Sequence, residues 1–142
     1  MSEFCGVVRP GDYDTYVKDG MVWEALLSEK ITGDSNNGGG RLTLQPGAEI
    51  PEHVRPDMEE LWFLLSGACD FTVWSEDGAE SETRTLEPKD LVYLRRNQKR
   101  YVCNNSDGPA AFMVFFPAAG PELDFLAGDG VTVIPAANHR EE

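Results

Sequence analysis

The chain has 142 residues, of which 25 are acidic and 12 are basic, so its formal net charge is -13. A surface this negative repels phosphate backbones and anionic headgroups, which disfavours nucleic-acid binding and docking on membranes. The length is that of one ordinary domain with its own core, so we expect a single domain over residues 1–142. The longest apolar run, Ala110–Phe116, is far shorter than the ~20 residues that a transmembrane helix needs.

The predicted elements are short strands separated by turn residues. In chain order they cover Met21–Leu27, Arg41–Gln45, Glu60–Trp74 with a turn at Gly67, Thr83–Leu86, Leu91–Leu94, Tyr101–Cys103 and Ala110–Phe116. Roughly eight such strands, without a long helical period, favour an all-β antiparallel sandwich or barrel. We place the barrel core at about residues 22–117, with an N-terminal arm and a C-terminal tail.

Four segments outside the main strands carry weaker expectations. Asp12–Lys18 is predicted to hold one helical turn, and Gly38–Gly40 is predicted to be a flexible loop, since no Walker lysine follows it. In the tail, Leu123–Leu126 is predicted to be helical and Val131–Ile134 to form a final strand.

The three cysteines, Cys5, Cys69 and Cys103, form an odd set without C-x-x-C spacing. This pattern indicates neither a disulfide framework nor a zinc ribbon. The N-terminal residues show no basic region followed by an apolar one, as a signal peptide would. We therefore expect a reduced, cytoplasmic protein whose cysteines are structural.

The segment 47–67 resembles the first motif of the cupin superfamily. That motif reads G, five residues, H-x-H, three or four residues, E, six residues, G, and it is matched by Gly47, His53, Glu60 and Gly67. A second motif, ending in asparagine, is matched weakly at Asn104. The resemblance implies a cupin-type jelly-roll β-barrel, which the independent strand pattern also favours.

The departures from these motifs concern the metal site. Family members that bind a metal use two histidines and a glutamate of the first motif and a histidine of the second. The corresponding residues here are His53, Arg55, Glu60 and Arg100. Arginine stays protonated and offers no lone pair, so we expect no metal cofactor. The alternative is a divalent transition metal held by His53 and Glu60 together with replacement ligands such as Asp57, Glu59 or Cys103.

The resemblance to metal-free cupins implies acid/base chemistry on a small anionic metabolite. In this hypothesis His53 and Glu60 are catalytic, with His53 transferring a proton and Glu60 orienting it. Arg55 and Arg100 clamp a carboxylate, enolate or phosphate. Alternation with Val102 and Asn104 aims Arg100 at the barrel interior. Tyr101 is a second candidate acid, although its parity places it on the opposite face.

Three aromatic residues complete the predicted site. Trp62, Tyr93 and Phe115 are expected to line the barrel mouth and bind the substrate, although ordinary core packing explains them equally well. The resemblance to metal-free cupins implies a reaction of the isomerase, epimerase, cyclase or lyase type.

Other functions remain open at this point. One is a non-catalytic module that binds or senses a small anion. Another is a metal-dependent enzyme of the dioxygenase type with an unusual ligand set. A third is a dimeric scaffold, since small cupin barrels often form homodimers through edge strands, and Met21–Leu27 is a candidate for a covering or swapped strand.

Overall fold

The computed structural model describes residues 6–33, 36–117 and 130–138, which form eleven strands and one short helix. The strands are β1 (Thr15–Lys18), β2 (Met21–Leu27), β3 (Gly38–Leu44), β4 (Glu49–His53), β5 (Glu60–Ser66), β6 (Cys69–Trp74), β7 (Ser81–Leu86), β8 (Leu91–Leu94), β9 (Arg100–Cys103), β10 (Ala110–Phe116) and β11 (Thr132–Ile134). The helix α1 (Glu29–Thr32) follows β2. In the described part of the chain, no helix has the length and apolar character needed to cross a membrane.

The strands form two antiparallel sheets. One sheet has seven strands in the order β11-β1-β2-β3-β10-β5-β8, and the other has four in the order β4-β9-β6-β7. The all-β class predicted from the sequence is confirmed.

The core lies between the two sheets and follows the alternation of the strands. Leu42 and Leu44 on β3, and Phe112 and Val114 on β10, are fully buried, while their neighbours along each strand are less so. An aromatic cluster joins the sheets, because Trp62 on β5 makes edge contacts with Phe112 and with Phe71 on β6 at 5.3 Å between ring centroids.

The helical turn expected at Asp12–Lys18 is wrong, because residues Thr15–Lys18 form strand β1. Its partners are β2 on one side and β11 on the other. Thr15, Tyr16 and Val17 are β-branched or aromatic residues, which suit a pleated surface better than a helix. The strand expected at Val131–Ile134 is confirmed by β11, and the segment Leu123–Leu126 lies outside the described residues.

The flexible loop expected at Gly38–Gly40 is also wrong, because these glycines begin strand β3 and are buried. Gly40 is packed so closely against β2 that a Cβ atom on it would lie 2.0 Å from the backbone oxygen of Glu24. The glycine therefore permits close approach between strands rather than flexibility.

Strand β4 was absent from the predicted elements, because Pro51 lies in its middle. The strand lies at an edge of its sheet and is irregular at that point, which is where a proline can be accommodated.

Candidate functional site

The four positions singled out by the sequence come together at one end of the barrel interior. His53 ends β4 and is the register partner of Arg100 at the start of β9. Glu60 begins β5 in the other sheet, and Arg55 lies in the segment between β4 and β5. Ion pairs from Glu60 to Arg100 and to Arg55 therefore join the two sheets, and we call these four residues the ion cluster.

Irregular pairing of β4 with β9 determines which side chain approaches Arg100. Ile50 pairs with Val102, but the next pair is His53 with Arg100, so β4 contains one additional residue between the two pairs. Such a bulge shifts the side-chain alternation by one residue. His53 is therefore directed to the same inner face as Ile50.

Glu60 is the only carboxylate of the ion cluster and is 1% exposed. Its Oε1 accepts hydrogen bonds from Trp62 Nε1 at 2.9 Å and from Arg100 Nη1 at 3.0 Å. Its Oε2 lies 3.5 Å from Arg55 Nη1. A buried carboxylate is costly unless charges and donors surround it. These three side chains supply the charges and two donors to Oε1, but Oε2 has no hydrogen-bond partner.

Arg100 is completely buried and incompletely paired. Its Nε donates to the Gln98 carbonyl at 2.9 Å and its Nη1 to Glu60, but its Nη2 has no hydrogen-bond partner. Burial lowers the pKa of Arg100, and Glu60 opposes this while the charge of Arg55 adds to it. The group still carries its charge at any physiological pH, because an arginine titrates far above it.

Arg55 brings a second guanidinium group into the interior and is 4% exposed. Its Nη2 contacts Met58 Sδ at 3.5 Å, and its Nε lies 3.6 Å from the carboxylate of Asp57. The Asp57 side chain is mostly exposed, so water screens its charge. The interior of the ion cluster therefore holds two positive charges against one negative charge.

His53 is half-buried at the side of the ion cluster. Burial is the largest cause of the lowered pKa of His53. The hydrogen bond to the Pro51 carbonyl and the charge of Glu60 raise the pKa, and the charges of Arg100 and Arg55 lower it. The imidazole is therefore neutral at pH 7. Its Nδ1 donates to the Pro51 carbonyl at 2.9 Å, so in the neutral ring Nε2 carries the lone pair of a base.

The sequence predicts that Glu60 orients the His53 side chain, but the structure shows another arrangement. The described hydrogen bonds of Glu60 come from Trp62 and Arg100, whereas Nδ1 of His53 is oriented by the Pro51 carbonyl. Glu60 acts on His53 through its charge.

The expectation that Trp62, Tyr93 and Phe115 share one barrel mouth is wrong. Trp62 is fully buried on the inner face, whereas Tyr93 and Phe115 are 49% and 37% exposed on the outer face of the same sheet. Both outer residues are register partners of Leu61, which neighbours Trp62 on β5 and therefore faces the other way. They line a cavity of about 510 Å³ together with Leu27 and Pro117.

The role of Trp62 is one that sequence reasoning missed. Its indole N–H holds Glu60 in place, and its ring packs in the core. The signal was available, because residues two apart on a strand share a face, and Glu60 and Trp62 are such a pair.

The ion cluster does not suit a metal ion. Two of its four side chains are guanidinium groups, which offer no lone pair and repel a cation. The proposed replacement ligands are elsewhere: Asp57 pairs with Arg55, Glu59 accepts from Tyr93 on the outer face, and Cys103 donates to Asn105. Among the described residues, no three His, Cys, Asp or Glu side chains are grouped as a metal site would require.

The remaining candidates do not belong to the ion cluster. Tyr101 donates to Glu49 on the outer face of the four-stranded sheet, and this bond raises its pKa further from neutrality. Burial raises the pKa of the Cys69 thiol to about 12, which makes it unreactive. Asn104, the matching residue of the second motif, is structural, since its Nδ2 donates to the carbonyls of Leu44 and Gly108.

A family model described as a cupin domain matches this chain. It covers residues 40–116, which is more than half of the chain and includes the whole ion cluster.

Two curated relatives are similar to this chain. Germin-like protein 1 of Brassica napus is 32% identical over 87 residues, which are 61% of this chain and 41% of that protein. Oxalate decarboxylase OxdC of Bacillus subtilis (strain 168) is 31% identical over 75 residues, which are 53% of this chain and 19% of that protein. The chain thus spans less than half the length of either relative.

The fold is similar to solved structures as well. The structure of oxalate decarboxylase from Bacillus subtilis at pH 4.6 superimposes with a TM-score of 0.64 at 25% identity, covering 71% of this chain and 26% of that one. This similarity confirms the jelly-roll barrel predicted for the fold.

Proposed function

The chain belongs to the cupin family, and on that premise we propose that its ion cluster binds a small organic anion and exchanges a proton with it without a metal. The observation that supports this proposal is the unpaired Nη2 of Arg100, in a group where two buried guanidinium groups face one buried carboxylate whose Oε2 also lacks a hydrogen bond. A buried donor without an acceptor is costly, and the surplus charge adds to that cost. A carboxylate or enolate oxygen placed against Arg100 would satisfy both.

His53 supplies the proton chemistry in this proposal. Neutral at pH 7 and with its lone pair on Nε2, it can take a proton from a carbon next to a carbonyl or carboxyl group. The electron pair left on the substrate then delocalises onto oxygen, where the two guanidinium groups stabilise it. Return of the proton to another carbon gives isomerisation, return to the other face gives epimerisation, and loss of a leaving group gives elimination.

Anion binding is tested first, on the purified full chain. Formate, acetate, pyruvate and inorganic phosphate are titrated in turn while the imidazole signals of His53 and His139 are followed by NMR. A bound anion should raise the pKa of His53 and leave that of His139 unchanged, because an opposite charge favours the protonated ring. If none of the four probes moves His53 more than His139, the binding site is refuted.

The variants for this titration remove charge in matched ways. Glu60→Gln combined with Arg100→Gln keeps the polar groups but removes the buried ion pair, and it should abolish the response of His53. Arg84→Gln removes an exposed arginine, 74% accessible and paired with Glu82, and should leave the response intact. Equal responses in both variants would place the anion elsewhere.

Catalysis is tested by proton exchange. In D2O, wild-type protein should introduce deuterium next to the carbonyl or carboxyl group of a small 2-oxo or 2-hydroxy acid faster than His53→Gln does. Exchange that is equal in both proteins would remove His53 from the mechanism.

A non-catalytic binding module is the second candidate. It is favoured by the position of Glu60, whose Oε1 is taken by Trp62 and Arg100 and which therefore serves the structure. Anion binding through Arg100 without any exchange catalysed by His53 would select this function.

Metal analysis separates these functions from a metal enzyme. The chemistry of the ion cluster predicts far less than one equivalent of any divalent transition metal in purified protein. One equivalent that is lost in both His53→Gln and Glu60→Gln would overturn the metal-free proposal.

A further inference from the structure

The buried ion pair between Glu60 and Arg100 uses only part of each group. A carboxylate and a guanidinium group often form two parallel hydrogen bonds, because both are planar forks of matching spacing. Here one hydrogen bond joins them, from Arg100 Nη1 to Glu60 Oε1 at 3.0 Å. The other two atoms of the forks, Glu60 Oε2 and Arg100 Nη2, are buried and have no hydrogen-bond partner among the described residues. We call these two atoms the open fork.

Neighbouring groups hold the ion pair in this arrangement. Oε1 of Glu60 also accepts from the indole N–H of Trp62 at 2.9 Å. Nε of Arg100 donates to the Gln98 carbonyl at 2.9 Å. Both side chains are therefore fixed by a second bond, and Arg55 Nη1, 3.5 Å from Oε2, supplies charge there but no hydrogen bond.

The two atoms of the open fork need opposite partners. Oε2 is an acceptor and needs a donor, whereas Nη2 carries hydrogens and needs an acceptor. Leaving either atom unsatisfied costs free energy, since both belong to charged groups withdrawn from water. A carboxylate alone offers only acceptors, so it satisfies Nη2 and is repelled by Oε2. A hydroxyl group on the same ligand supplies the missing donor.

We propose that the ligand of the ion cluster is a 2-hydroxy carboxylate, whose carboxylate accepts from Arg100 Nη2 and whose hydroxyl donates to Glu60 Oε2. This inference rests on the proposed binding of a small anion and adds its chemical class. Each atom of the open fork shares a carbon with an atom of the Oε1–Nη1 hydrogen bond, so the two lie close together. The donor and the acceptor of the ligand therefore belong on neighbouring carbons. An analogue without the hydroxyl leaves Oε2 unpaired, which makes the hydroxyl a specificity determinant.

The experiment compares three anions that differ in one substituent, with the full chain at pH 7. Acetate has no substituent beside its carboxylate, glycolate has a hydroxyl, and fluoroacetate has a fluorine of similar size that cannot donate. Dissociation constants come from the imidazole signal of His53 in NMR titrations, with the signal of His139 as the internal control. Glycolate should bind at least about tenfold more tightly than either analogue, because its hydroxyl donates to a charged acceptor.

The variant Glu60→Gln identifies the acceptor. Trp62 and Arg100 both donate to the Oε1 position, so the amide oxygen should occupy that position and the amide nitrogen should replace Oε2. The preference for glycolate should then fall at least several-fold, while acetate binds no more weakly than to wild type, since a negative charge has been removed.

The matched control is Glu82→Gln, which removes an exposed carboxylate paired with Arg84. It should leave the preference for glycolate at its wild-type value. The comparison of the three anions on wild-type protein needs no variant, so it tests the proposal even if Glu60→Gln does not fold.

Three outcomes would overturn the inference. Equal affinities for glycolate, acetate and fluoroacetate would show that the hydroxyl gains nothing at Oε2, while anion binding itself would stand. A preference for glycolate that is unchanged in Glu60→Gln would place the hydroxyl on another acceptor. Binding of none of the three anions would refute the proposed function, and this inference with it.

Discussion

Strand β5 has two sides that reverse the usual distribution of side chains. On the inside, Glu60 is a buried carboxylate between two arginines, although charges are almost never buried without a reason. On the outside, Leu61 and Leu65 are 39% and 41% exposed in an acidic chain. Each side departs from what folding alone would favour.

The two departures differ in what they demand. Buried charges must be matched by groups in direct contact with them, and Arg100 shares the one buried carboxylate, Glu60, with Arg55. Exposed apolar groups require only that water be excluded, which does not depend on the precise position of any one atom. The comparison teaches that the two sides of one strand have different requirements, charge pairing inside the barrel and exclusion of water outside it.

The largest expected effect concerns the inside. Glu60→Gln leaves two buried guanidinium charges without a carboxylate, and we expect the free energy of unfolding to fall by about 3–5 kcal/mol. Urea denaturation measures it. Glu82→Gln removes the carboxylate of an exposed pair with Arg84 and should change stability by less than about 1 kcal/mol. Equal losses in the two variants would show that the buried position of Glu60 has no special weight.

The next effect separates the two functions of Trp62. Trp62→Phe removes the N–H that donates to Glu60 and also some core volume, whereas Trp23→Phe removes similar volume from another buried indole outside the ion cluster. We expect Trp62→Phe to cost about 1–3 kcal/mol more than Trp23→Phe, since a hydrogen bond to a buried charge is lost. Thermal or urea unfolding of both variants gives the difference, and no difference would make Trp62 a packing residue alone.

A smaller effect depends on pH. The pKa of His53 is lowered in the folded chain, so the unfolded chain binds a proton more readily as pH falls. This part of the stability is complete above the unfolded pKa near 6.5 and is lost as pH falls towards the folded pKa. Glu24 and Asp70, whose pKa values are also lowered, titrate only in more acidic solution.

The change in unfolding free energy between pH 7 and pH 5 therefore reports the titration of His53. His53→Gln should flatten this part of the profile, whereas His139→Gln should leave it unchanged. A wild-type profile that is flat, or that steepens equally in both variants, would contradict the shift.

The smallest effect is expected outside. Leu65 and Leu64 are neighbours on β5 that face opposite sides, with 41% and 0% exposed. At protein concentrations too low for association, Leu65→Ser should cost less than about 1 kcal/mol, while Leu64→Ser should cost several. A large loss in Leu65→Ser under these conditions would mean that its side of the strand is covered within one chain.

Most strands could be predicted because their apolar and polar residues alternate. The alternation in Arg41–Gln45 and the β-rich run Ala110–Phe116 both gave strands with nearly the expected bounds. The glycines before Arg41 could not be placed, because a flexible loop and a close contact between strands use the same residue. What distinguishes them is the neighbouring backbone of Glu24, which is distant in sequence.

The site was predictable where a motif fixed the spacing, and less so elsewhere. His53, Arg55, Glu60 and Arg100 do come together, and Arg100 faces inwards as its alternation with Val102 implied. Tyr93 and Phe115 do not join them. The residue type alone does not show which face of a strand an aromatic side chain occupies, and the pairing register with the neighbouring strand is needed to decide it. Their side follows from pairing with Leu61.

The additional residue in β4 has a consequence for the charge of the ligand. If β4 and β9 paired regularly beyond Ile50, Glu52 and not His53 would face Arg100. A second carboxylate would then neutralise the interior, and no anion would be called for. In the chain as it stands, Glu52 is directed outwards to Lys99 at 3.0 Å. The one extra residue between Ile50 and His53 therefore decides whether an imidazole or a carboxylate stands opposite Arg100, and with it the charge of the barrel interior.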